Sequence, residues 1–193
     1  VPGFEHLAPA FHIRRSGGLA VASPSEDKIL KALTQTPMLV GMVANSWAAM
    51  EHTMVYPAMC LLQTESEHVA KVIMISATPP QRRDLFLALS QADCFTAEQK
   101  AGVKEFCDEF ERLRKLRNDI VHGHWTSITA DGVPIVKITK GRAVLRETLQ
   151  PKEISSILTV KDDIDRASLW CLDLVILLRG RITDHVAEDA RDD

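Results

Sequence analysis

The 193-residue sequence predicts a mainly α protein: a bundle of four to six helices, with a small β-hairpin or meander inserted before the last long helix. Three observations carry this prediction. Apolar residues recur at about 100° per residue through most of the chain before residue 123 and after residue 151. Helix-start signatures, Ser or Thr followed by Pro or by Glu or Gln three residues on, separate those stretches. Strict alternation replaces the helical period only between Trp125 and Thr139. The length suits one domain, placed at 23–187 with its β insertion at about 124–147, after an arm at 1–22 and before a frayed, charged tail at 188–193.

The elements follow in order. Gly17 and Gly18 interrupt any helix in the arm. Ser23-Pro24-Ser25-Glu26 combines an N-cap Ser, Pro at the first helical position and Glu at the third, opening a helix to about Gln35. Thr36-Pro37 opens a second, longer helix with Val40, Val43, Ala44, Trp47, Met50 and Met54 on one face. Glu51 shares that face, His52 points toward solvent, and Pro57 must kink or end the helix near Tyr56. Thr64 with Glu67 caps a helix through Val69, Val72, Ile73 and Ile75, and Thr78-Pro79 starts the next, through Leu85, Phe86, Leu89 and Ala92.

Thr96 with Gln99 caps the central helix, which runs to His122. Gly123 is a ready residue for the position just past a helix end. Strands are expected at Trp125–Thr129 and Val133–Thr139 around an Asp131-Gly132 turn, with a third short strand after Lys140-Gly141. The bland role for this meander is a flap over one end of the bundle. Pro151–Ile157 reads as a short helix, and Thr159 with Asp162 starts the last long one. Its core stripe is Ile164, Ala167, Cys171, Leu174, Val175, Leu178, Ile182 and Val186. Leu169, Leu172 and Ile176 form a second apolar strip on another side, which a surrounding bundle or a second subunit would cover.

Composition narrows the function classes. With 23 basic and 26 acidic residues, the formal charge of -3 supplies no global footprint for duplex nucleic acid, so any nucleic-acid contact must be local. Four scattered cysteines without a CxxC pair are the usage of a reducing, cytoplasmic compartment. The apolar run Trp170–Leu178 contains Asp173 and is far short of a membrane span, so no membrane partner is expected. The chain opens on Val1 rather than Met, so the expectation is either a trimmed start or one introduced by the way the chain was made.

The chemistry-bearing stretch is Phe106 to Trp125, FCDEFERLRKLRNDIVHGHW. Phe106, Phe110, Leu113, Ile120 and Val121 form an apolar stripe, and Arg117 falls near its middle. A guanidinium aimed inward cannot shed its proton and must meet a carboxylate, an open groove or an anionic ligand. Glu51, a carboxylate on the inner face of its own helix, is the expected partner. Asn118 and His122 stand four apart, one above the other. The same three residues could instead complement the negative end of the helix dipole and tie up its last carbonyls. His122 and His124 also make an HxH, but nothing resembling HExxH or paired cysteines accompanies it, so a zinc hydrolase ranks last and no cofactor is expected.

Arg117-Asn118, three residues, then His122-Gly123 and Trp125 resemble the RNxxxHGxW form of the Arg-x4-His signature of the HEPN superfamily. The resemblance is specific over 117–125 and loose over about 37–187. It implies a helical bundle that is either a metal-independent endoribonuclease, as in toxin or defence systems, or a non-catalytic nucleotide-binding or protein-interaction module. For the enzyme, it implies that the ribose 2′-oxygen attacks its own phosphate, with His122 as acid/base, Arg117 stabilising the phosphate, Asn118 holding the ring or the phosphate and Glu51 supporting Arg117. It further implies a homodimer through the last long helix, an RNA substrate or nucleotide ligand and, in a toxin setting, an antitoxin protein. The β insertion is not carried over from the superfamily.

Overall fold

The computed structural model describes residues 24–140 and 146–179. The arm, the Ser23 cap, the Gly141 turn, Ile182, Val186 and the tail lie outside the described residues. Among the described residues there are six helices, α1 (Pro24–Thr53), α2 (Val55–Leu61), α3 (Glu67–Ser76), α4 (Pro79–Leu89), α5 (Ala97–Val121) and α6 (Ile154–Arg179). Between α5 and α6 lies an antiparallel meander of β1 (His124–Ile128), β2 (Pro134–Lys140) and β3 (Arg146–Pro151), in that spatial order.

Two expected helix breaks are absent. Pro37 sits inside α1, and the two helices expected at 23–35 and from 36 onward are one helix of 30 residues. The buried positions Ala32, Thr36, Leu39, Val43, Trp47, Met50 and Met54 keep one helical period straight through the proline. Packing along that stripe outweighs the one backbone hydrogen bond that Pro removes. The short helix expected at 151–157 likewise merges with the last one. Thr159 acts inside the helix, its hydroxyl donating to the Ser155 carbonyl (3.0 Å), while Ile157, Val160 and Ile164 continue a single buried stripe.

The other boundaries follow local chemistry. α1 ends at Thr53, and Pro57 falls in the first turn of α2, where its missing N–H costs no helical bond. The cap of α3 is Ser66 rather than Thr64; the Ser66 hydroxyl accepts from the Val69 N–H, while the Thr64 hydroxyl accepts from the Ser66 N–H two residues on. α3 buries Ala70 and Met74 and leaves Val69, Val72 and Ile75 exposed. The expected cap of α4 forms, with Gln81 accepting from the Thr78 N–H (2.8 Å). So does that of α5, with reciprocal bonds between Thr96 and Gln99.

Gln99 then ties α5 to α6. Its amide donates to the carbonyls of Leu177 (3.0 Å) and Leu178 (3.1 Å), fixing the start of α5 against the end of α6. Phe86, Trp47, Phe106, Phe110 and Trp170 fill the centre, with Trp47 and Phe110 centroids 5.1 Å apart and Trp170 edge-on to Phe106 at 5.9 Å. Val136 and Ile138 on β2 are the buried face of the meander. Gly132, at φ +81°, makes the expected turn, and a Cβ there would press on Lys28 of α1, so the hairpin tip is seated on the first turns of that helix.

Three of the four cysteines, Cys60, Cys107 and Cys171, are buried core residues and Cys94 is exposed. Burial pushes the Cys107 and Cys171 thiols up to about 12, which keeps them protonated and unreactive. No described helix is long and apolar enough to cross a membrane.

Candidate functional site

The last turn of α5 brings Arg117, Asn118 and His122 together. His122 is the C-cap residue, and its N–H donates to the Asn118 carbonyl at 3.0 Å. Helix geometry alone leaves the Arg117 and His122 side chains about 140° apart. The turn past the helix end closes that gap. The Arg117 Nη1 lies 2.7 Å from His122 Nε2 and donates to Asn118 Oδ1 at 3.0 Å. A guanidinium can only donate, so in this contact the ring accepts through Nε2 and carries its hydrogen on Nδ1.

Gly123 is required here, for space rather than for a left-handed backbone. A Cβ at 123 would lie 2.2 Å from a Val136 methyl and 2.4 Å from the Asp119 carbonyl oxygen. The first strand therefore leaves the helix pressed against it, and Trp125 completes the junction by donating its indole N–H to the Ile120 carbonyl at 3.1 Å. That bond satisfies one of the orphan carbonyls of the helix end. It gives the Trp of the motif an anchoring role.

Arg117 is aimed inward, as its place on the stripe predicts. Its guanidinium carbon stands 5.8 Å from the centre of the buried Trp47 ring on α1, close enough for a cation–π contact. Its Nε is buried and has no hydrogen-bond partner. Desolvation lowers the proton affinity of the guanidinium, and the nearby charge of Glu51 opposes that shift. The group remains a cation at any physiological pH.

The expected ion pair between Glu51 and Arg117 is not the one that forms. Glu51 pairs with Arg82 of α4, Oε1 to Nη1 at 2.6 Å. Arg82 also donates through Nε to the carbonyls of Met74 (2.8 Å) and Ala77 (3.0 Å), locking the end of α3 and the following turn to α1. The reason is reach: the turn between α3 and α4 delivers Arg82 directly to the Glu51 carboxylate. Glu51 thus supports Arg117 only through its field. Asn118, expected to hold either the imidazole or a phosphate, holds Arg117, and Arg117 holds the ring.

Two members of the site escaped sequence reading, the Trp47 floor and the Arg82 tether. Trp47 and Glu51, one helical turn apart on the face of α1 that meets α5, carried a signal for the first. Nothing local marked Arg82 among its polar neighbours. His124 is exposed on β1, opposite Lys137 of β2. Among the described residues no group of three or more His, Cys, Asp or Glu side chains is arranged to hold a metal ion, so His122 and His124 lack a third ligand there.

Comparison with family models, curated proteins and solved structures finds no match for this chain.

Proposed function

We propose that the protein is a HEPN-like, metal-independent endoribonuclease whose site is Arg117, Asn118 and His122. One observation carries the reading. Arg117 is a part-buried cation whose hydrogen-bond partners are a neutral amide and an imidazole, and among the described residues no carboxylate lies within ion-pair distance of it. A part-buried cation with no carboxylate bonded to it favours an incoming anion. The imidazole beside it is exposed, within reach of a bound substrate, and is of a side-chain type suited to general acid/base work.

A phosphodiester placed against Arg117 meets both requirements of 2′-oxygen attack. Nε2 of His122 accepts the 2′-hydroxyl proton as the 2′-oxygen bonds to phosphorus, and the bond from phosphorus to the 5′-oxygen breaks. The 5′-oxygen takes a proton from solvent, leaving a 2′,3′-cyclic phosphate and a 5′-hydroxyl. Arg117 stabilises the charge that grows on the non-bridging oxygens, and Asn118 has amide hydrogens to offer the same phosphate. The formal charge of -3 fits a substrate gripped locally rather than by a broad basic surface.

A second copy is proposed to pack on α6, where Leu169 (63 %), Leu172 (46 %) and Ile176 (69 %) are exposed in a row. The competing reading is a non-catalytic nucleotide-binding or interaction module, supported by the stacking of Arg117 on Trp47 and by its bonds within its own helix. Incubation with RNA in EDTA, with product ends identified, separates the two. The nuclease reading expects cyclic-phosphate ends from the parent protein and none from His122→Ala. Equal cleavage by both proteins, or none by either, removes it.

A further inference from the structure

Resting on the phosphate-accepting reading of this site, we infer that Arg117 and His122 latch one another in the free protein, and that an arriving phosphate releases the imidazole by taking the guanidinium hydrogen it holds. The contact at 2.7 Å is short for a nitrogen pair and charge-assisted. It occupies the ring nitrogen nearest the phosphate-binding cation. While it stands, Nε2 cannot accept a proton from a 2′-hydroxyl, because its lone pair is already engaged.

The geometry makes the latch reversible. His122 is exposed and is the cap residue of α5, whereas Arg117 is fixed by Trp47 beneath and by Asn118 beside it. Exchange of partner thus needs a rotation of an exposed ring and no movement of the core. Glu51 cannot substitute for the phosphate, being held by Arg82. An anion that bonds to Nη1 competes with Nε2 for one donor. For an anion seated on that Nη1 hydrogen, binding of the substrate's phosphate and unmasking of the base are a single event.

Competition of this kind lowers apparent anion affinity by the fraction of molecules that are unlatched. Removing the imidazole therefore strengthens phosphate binding, the opposite of what a phosphate-gripping histidine would do. The test is titration of the folded protein with inorganic phosphate at pH 8, above the ordinary imidazole range, following backbone amide resonances of residues 117–123. His122→Ala and His122→Phe should each bind about tenfold tighter than the parent, the ratio set by the loss of one charge-assisted hydrogen bond. Arg117→Ala should abolish the response.

Unchanged or weaker binding in both histidine variants overturns the latch, and metal-free RNA cleavage by the parent would still stand on its own. Tightening in the Ala variant alone would mean that the ring merely obstructs the anion, which also overturns a hydrogen-bonded latch. A phosphate response that survives Arg117→Ala overturns both the latch and the anion site beneath it.

Discussion

Arg82 and Arg117 are both drawn toward α1, and they end in opposite electrostatic states. Arg82 meets the Glu51 carboxylate through Nη1 and two backbone carbonyls through Nε, so its charge and its part-buried Nε donor are satisfied within the fold. Arg117 meets a ring face, an amide oxygen and an imidazole, and keeps a buried Nε without a partner. The side chains of Arg82 and Glu51 are 13 % and 25 % exposed, a mostly enclosed tether between α1, α3 and α4. The second guanidinium faces an exposed histidine at a helix end. A cation closed by a carboxylate serves architecture, whereas one denied a carboxylate remains available to a ligand.

The comparison breaks most easily at the site. Arg117→Ala and His122→Ala should each lower RNA cleavage by about 10²–10⁴-fold while changing thermal stability little, measured as initial rates beside melting curves. If Arg117→Ala unfolds the protein instead, Arg117 belongs with Arg82. The converse variant, Arg82→Met, should cost about 2 kcal/mol in denaturant unfolding, because it strands Glu51 in a mostly enclosed position. Adding Glu51→Met should recover most of that loss, since apolar groups can replace an enclosed pair at little cost. A double variant as unstable as the single one would mean that the carbonyl contacts of Arg82, not its charge, hold α3.

Gly123→Ala should cost about 2 kcal/mol, as the new methyl has to displace Val136 or the end of α5. It should also reduce cleavage by moving His122 off Arg117, while equal activity would show that the junction does not position the ring. Smallest in stability is Leu169→Glu with Ile176→Glu on the exposed face of α6. Sedimentation should show a smaller particle than the parent's with an unchanged melting temperature, whereas an unchanged particle would exclude that face as the interface.

Much of the fold was legible because its signals are local. The caps at Thr78 and Thr96, the turn at Asp131-Gly132 and the change of period after Gly123 each depend on residues within a few positions of one another. Misreadings arose where distant packing overruled a local rule. Pro37 and Thr159 carry start signals, yet both lie inside helices whose buried stripes run past them. Val69, Val72 and Ile75 look like a core face until Ala70 and Met74 are seen to face α2 and the core. At the site, the inward aim of Arg117 and the proximity of Asn118 and His122 could be read from spacing. The partner of Glu51 could not, because two arginines competed for it and only the path of the α3–α4 turn decides between them.

By itself, then, the sequence determined the helical class, the meander after α5 and the grouping of Arg117, Asn118 and His122 at one helix end, since periodicity and capping act over a single turn. Tertiary structure alone decided which arginine received the carboxylate and which was left with an aromatic floor and a histidine. Charge pairing is settled by which side chains the packed helices bring within about 4 Å, and no spacing along the chain specifies that distance.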